Sequence, residues 1–118
     1  MEKKKNTADR QVEIFLHPNP EIRSFLTKTA ISSYRVEKFR KPHEKNWEST
    51  LKQLGVIGAQ VTREILAIHD VHEIHIKPKE IRVKQKGSSS WEAIETKILE
   101  ILVRALRKKQ IKLVKRQR

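Results

Sequence analysis

The chain has 118 residues, enough for one domain with a modest hydrophobic core. Its 27 Lys and Arg against 14 Asp and Glu leave a formal net charge of +13, which attracts RNA, DNA, acidic proteins or anionic surfaces. It has no cysteine, which excludes a disulfide framework, a thiolate nucleophile, and thiolate ligation of zinc or an iron–sulfur cluster.

Residues 1–11 read as a polar basic arm. The lysines at its start are not followed by an apolar core, so no secretory signal is expected, and no apolar run approaches membrane-spanning length. The expectation is a soluble cytoplasmic protein without a membrane partner, an organelle not being excluded. "VEIFL" (12–16) is a short strand, the "HPNP" loop of His17, Pro18, Asn19 and Pro20 breaks it, and "IRSFLTKTA" (22–30) resumes an extended pattern with Ile22, Ser24 and Leu26 on one face. "SYRVEKF" (33–39) sets Tyr34, Val36 and Lys38 against Arg35, Glu37 and Phe39 and reads as a third strand. After the loop 40–46, Asn46 is placed to cap a helix "WESTLKQL" that Gly55 ends. Val61, Ile65 and Ile68 then predict a second helix from Ala59, with Gly58 as its flexible entry.

His69, His72 and His75 recur at every third position, as metal ligands on a helix would. The surrounding pattern is that of a strand: Ile74 and Ile76 alternate with His75 and Lys77, a Lys77-Pro78-Lys79-Glu80 turn follows, and Ile81 and Val83 alternate with Arg82 and Lys84. A hairpin puts His72 on the Ile74 and Ile76 face and His75 on the other, so the imidazoles do not converge and no metal site is expected. Ser89, with Glu92 three positions on, predicts a capping box for the last helix, whose apolar stripe is Trp91, Ile94, Ile98, Ile101, Leu102 and Ala105. The expected fold is α+β, a two-layer sandwich with a mainly antiparallel sheet of four to five strands and two main helices on one face.

The stretch from Ala67 to Leu102 resembles the closing half of the N-terminal domain of Nfu/NifU-type iron–sulfur scaffold proteins. Asp70-Val71 stands at that family's "GV" pair, Ile81-Arg82-Val83 at its "ITV" strand and Ser90-Trp91-Glu92 at its "DWE", without a gap from Ile68 to Trp91. In the opening half, "HPNPEIRSF" (17–25) is similar to "TPNPNALKF", so that the resemblance spans most of residues 12–106, with an insertion around 40–55. It implies an accessory or adaptor role in iron–sulfur cluster assembly or delivery, with assembly proteins as partners. The family's cluster-binding "CxxC" lies in a separate C-terminal domain that this chain ends without, so it is not expected to carry the cluster. Where the family has a loop rich in Asp and Glu before the last helix, this chain has "KGSSS", and its hairpin carries Lys77, Lys79, Arg82, Lys84 and Lys86.

The charge supports a second expectation, an RNA-binding or ribosome-associated protein. The polyanion-binding candidates are Lys77, Lys79, Arg82, Lys84 and Lys86 of the hairpin, with Arg104, Arg107, Lys108, Lys109, Lys112, Lys115 and Arg116 of the C-terminal region. Residues 107–118 read as a basic tail, either solvated or a continued helix with Leu106 and Leu113 near the apolar stripe. "LGVIGAQV" (54–61) is similar to the GxxG loop of KH domains, but lacks the basic pair between its glycines. The serines 88–90 are better explained by capping than by nucleophilic chemistry, and no spacing of Glu92 with Glu95 or Asp70 with Glu73 suggests an acid–base pair. Neither an enzyme nor a bound cofactor is expected.

Overall fold

Period-two alternation builds the sheet. In the computed structural model, which describes residues 4–6, 12–42, 46–87 and 90–116, six antiparallel strands stand in the order β1-β2-β3-β6-β5-β4. They are β1 (Lys4–Asn6), β2 (Val12–Leu16), β3 (Ile22–Thr27), β4 (Glu37–Arg40), β5 (Val71–Lys77) and β6 (Glu80–Gln85). Part of the polar arm is therefore an edge strand, with Lys5 opposite Ile14. Composition hides this strand, because an edge needs only backbone hydrogen bonds and tolerates polar side chains. The core face collects Val12 and Ile14, Phe25, Phe39, Ile74 and Ile76, and Ile81 and Val83, all buried.

Two main helices cover that face. The helix α3 (Trp91–Arg116) buries Trp91, Ile94, Ile98, Ile101, Leu102 and Ala105, the expected stripe, and also Leu106. Its backbone runs on through most of the segment read as a tail. Helix α2 spans Gly55–Leu66, and the short α1 covers Trp47–Lys52. The start of α2 corrects the expectation of Ala59. Gly55 has φ of 88° and turns the chain out of α1, while Gly58 lies inside α2 instead of before it. A Cβ on Gly58 would sit 2.8 Å from Ser32 Cβ and 3.1 Å from Leu54 Cβ, so this glycine allows the helix to touch the β3–β4 connection. Gly55 and Gly58 therefore frame a helix start and not a KH-like loop.

The caps also differ from expectation. Asn46 precedes α1 but makes no capping bond with its side chain. At α3 the Glu92 N–H donates to Ser90 Oγ at 3.3 Å, and Ser89 lies outside the described residues. The strand expected over 33–39 begins only at Glu37, and Tyr34 and Val36 before it are exposed.

Hairpin β5–β6 lies toward the middle of the sheet, with Lys77 opposite Glu80 across the predicted turn. The turn is held from outside, since the Thr27 and Ile31 N–H groups donate to the carbonyls of Lys79 and Pro78 at 2.9 and 2.8 Å. A bulge between Val71 and Glu73 corrects the expected place of His72. It inserts one extra residue, so that Val71 and Ile74, three apart, are both buried and Val71 takes the core position that simple alternation gives to His72.

Candidate functional site

Register and pleat decide which side chains share the uncovered face of the sheet. Reading straight across it, Phe15 faces Ser24, Ser24 faces Arg82, Arg82 faces His75, and His75 faces Lys38. A neighbouring row runs Ile22, Lys84, Glu73, Arg40. Of the expected polyanion-binding residues, Lys77, Arg82 and Lys84 thus stand together on the open sheet, with Lys79 in the hairpin turn and Lys86 just past β6.

The acids on this face are already engaged. Glu73 accepts from His75 Nε2 at 3.0 Å and lies 3.4 Å from Arg40 Nε. Burial pushes the Glu73 carboxyl up, but the His75 hydrogen bond and the charges of His75, Lys38 and Arg40 together hold it below its ordinary range. Glu80 accepts from the Ser24 hydroxyl at 2.9 Å and lies 3.7 Å from Lys77 Nζ. Arg82 Nε is buried and meets no acceptor among the described residues.

His17, Ser24 and Glu80 invite comparison with a nucleophile and its base, because His17 Nε2 is 3.3 Å from Ser24 Oγ. The order of the bonds is wrong for that chemistry. Ser24 gives its one proton to Glu80, so His17 must donate to Oγ and cannot accept from it. Ser24 is also buried. The chain of bonds clamps the start of the "HPNP" loop to β3 and β6.

That loop and the start of α3 meet at one corner. Asn19 Oδ1 accepts from the Glu21 N–H at 2.9 Å and its carbonyl from Ile22 at 3.0 Å, a turn fixed by the asparagine. The Trp91 indole Nε1 donates to the Pro20 carbonyl at 2.8 Å. Arg23 lies over the Trp91 ring, 5.1 Å from its centroid, and pairs with Glu95. Trp91 is buried, as the apolar stripe requires, while Pro18, Asn19 and Pro20 are exposed. The two sequence segments that carry the family resemblance are thus bonded to each other.

The expected C-terminal cations lie on the helical layer, away from the open face. Arg104 reaches Glu64 at 3.2 Å and Lys108 donates to Gln60 Oε1 at 2.9 Å, so both help join α3 to α2. Arg107 is exposed on α3, and the side chains of Lys109, Lys112, Lys115 and Arg116 fall outside the described residues. The sequence could not show that one cation set belongs to the sheet and the other to the helices, because that division exists only once the layers are stacked. His69 is 82% exposed beside Asp70, before β5, while His75 binds Glu73. Among the described residues no group of three or more His, Asp or Glu could hold a metal ion. No helix of the described residues is long and apolar enough to cross a membrane.

The chain matches no protein-family model and no curated protein sequence. Solved structures do share its fold. A NifU-like protein from Saccharomyces cerevisiae is 14% identical with a TM-score of 0.61, over 89% of this chain and 87% of that one. Protein SAV1430 from Staphylococcus aureus is 16% identical with a TM-score of 0.56, over 75% of this chain and 93% of that one.

Proposed function

We propose that this chain is a non-enzymatic accessory protein of iron–sulfur cluster assembly or delivery, working in the cytoplasm as an adaptor that does not hold the cluster. The observation that carries the reading is the bonded corner of the "HPNP" loop and Trp91, the meeting point of the two Nfu-like segments. The fold likeness to a NifU-like protein over most of both chains supports it. With no thiolate among 118 residues, any cluster must sit on a cysteine-bearing partner, and this chain's part is to bring donor and acceptor together. The test is cluster transfer from a NifU-type scaffold to an apo-ferredoxin, followed by visible circular dichroism. Added protein should accelerate transfer without acquiring cluster absorbance itself, and an unchanged transfer rate would overturn the reading.

The open sheet face favours one second reading. A row in which Phe15, Arg82 and His75 stand near Lys38, Lys84 and Arg40 has the ring-and-cation composition that binds single-stranded RNA. In that reading the sheet, and not the C-terminal part of α3, is the RNA surface.

A further inference from the structure

The segment between β3 and β4 leaves large apolar side chains in water. Tyr34 is 95% exposed and Val36 63%. Both line a cavity of about 460 Å³ whose remaining walls are Ala30, Arg35, Pro78 and Lys79, between this segment and the β5–β6 turn. The hollow is not a loose loop region. The Ile31 N–H is bonded to the Pro78 carbonyl at 2.8 Å and the Ser33 N–H to that of Leu54 at 2.9 Å. Ile31 itself is buried. The backbone is pinned at Ile31 and Ser33, before Tyr34, and again from Glu37 by the pairing of β4 with β5, while Tyr34 and Val36 are held out of the core.

The hollow adjoins the start of β4, which Val36 immediately precedes. Strand β4 is last in the strand order, bonded to β5 on one side, and among the described residues no strand pairs with its other side. The charges along this edge are mostly positive. Arg35, Lys38 and Arg40, with Lys79 in the β5–β6 turn beside the hollow, stand against Glu37, which is already engaged by Arg35 at 2.7 Å, while Arg40 reaches Glu73 at 3.4 Å.

We infer that this groove and the free edge of β4 dock an extended acidic segment of a partner protein, which adds a strand beside β4 and sets apolar side chains into the hollow around Tyr34 and Val36. Three features select that occupant. The unpaired N–H and C=O groups of an edge strand are satisfied in register only by another peptide backbone, which argues against a nucleic acid here. Alternate side chains of an added strand point to one face, so its acidic residues can meet Lys38 and Arg40 on the open face while the part of it that runs on past Glu37 sets apolar side chains beside Val36 and the hollow. A second copy of this chain is disfavoured because it would set Lys38 and Arg40 against their own counterparts. The inference does not depend on the cluster-assembly reading, since it names the chemistry of the partner and not the partner's activity.

The test uses the full chain, isotopically labelled for NMR, and a short synthetic peptide of alternating glutamate and valine with one central phenylalanine. Chemical-shift changes should concentrate on residues 30–40 and 76–80, with slowed amide exchange in β4. Tyr34→Ala, a change at a solvent-exposed position, should weaken binding about tenfold. Lys79→Glu should weaken it at low salt and much less at high salt. A peptide with lysine in place of glutamate should not bind. The inference is overturned by an absence of shifts at millimolar peptide, by shifts centred elsewhere, by equal binding of the lysine peptide, or by wild-type affinity in Tyr34→Ala. An oligouridylate that perturbs the same residues as strongly as the acidic peptide would also overturn it. An otherwise unchanged spectrum of each variant shows that its fold is intact.

Discussion

Trp91→Ala removes the residue at which loop, sheet and helix meet, and its cost can be assembled from the contacts. Trp91 is 9% exposed, and truncating a buried tryptophan costs about 3–5 kcal/mol. That figure includes the stacked Arg23 guanidinium, worth about 0.5–1 kcal/mol, and the indole bond to the Pro20 carbonyl. The bond contributes only about 1 kcal/mol, because Pro20 is exposed and its freed carbonyl regains water. Set against a total stability of about 5–15 kcal/mol, the loss is a large fraction, and the midpoint of thermal unfolding should fall by about 10–20 °C. Trp91→Phe keeps most of the ring and loses the N–H, so it should cost about 1–2 kcal/mol. The assay is urea denaturation followed by far-ultraviolet circular dichroism, which does not depend on the fluorescence of the residue being removed. A midpoint for Trp91→Ala within error of the wild type would refute the reasoning, since it would mean that the ring is not buried.

Gly58→Ala should destabilise by about 1–3 kcal/mol despite alanine's better helix propensity, because its Cβ would press on Ser32 at 2.8 Å; a stabilised variant in the same denaturation assay would show that the approach is not tight. Gly55→Ala meets no neighbouring atom but must hold φ near 88°, so about 1 kcal/mol should be lost to the backbone alone. Acid should weaken the fold through Glu73. Its carboxyl titrates lower folded than unfolded, so its contribution is complete above the ordinary value near 4.5 and is lost as pH falls through the folded value. Glu73→Gln should flatten the dependence of stability on pH in that window, and an unaltered slope would contradict the assignment. Lastly, if RNA binds the open sheet, the logarithm of affinity should fall against the logarithm of salt with a slope of about −2 to −3. Lys84→Ala with Arg82→Ala should flatten that slope while Arg107→Ala leaves it unchanged, and the opposite result would move the RNA surface to α3.

Much of the fold is legible along the chain, because each element carries a local signal. The alternation of Ile74 and Ile76 with polar residues, the stripe from Trp91 to Ala105, and the proline-bounded loop at 17–20 each fix a conformation from neighbours in sequence. The absence of cysteine and the excess of Lys and Arg bound the chemistry just as directly. What lay outside the sequence is what depends on groups distant along the chain. Lys4–Asn6 becomes a strand only because β2 offers it a free edge, and position 58 needs glycine because Ser32 lies against it. The bulge at His72 places Val71 in the core, a choice made by the fit of β5 over β6 and not by period. The expected polyanion-binding set divides for the same reason, with Arg82 and Lys84 on the open sheet and Arg104 and Lys108 joined to α2. Charge is a property of residues, but a surface is a property of layers, and only packing the helices against one face of the sheet decides which cations share a side.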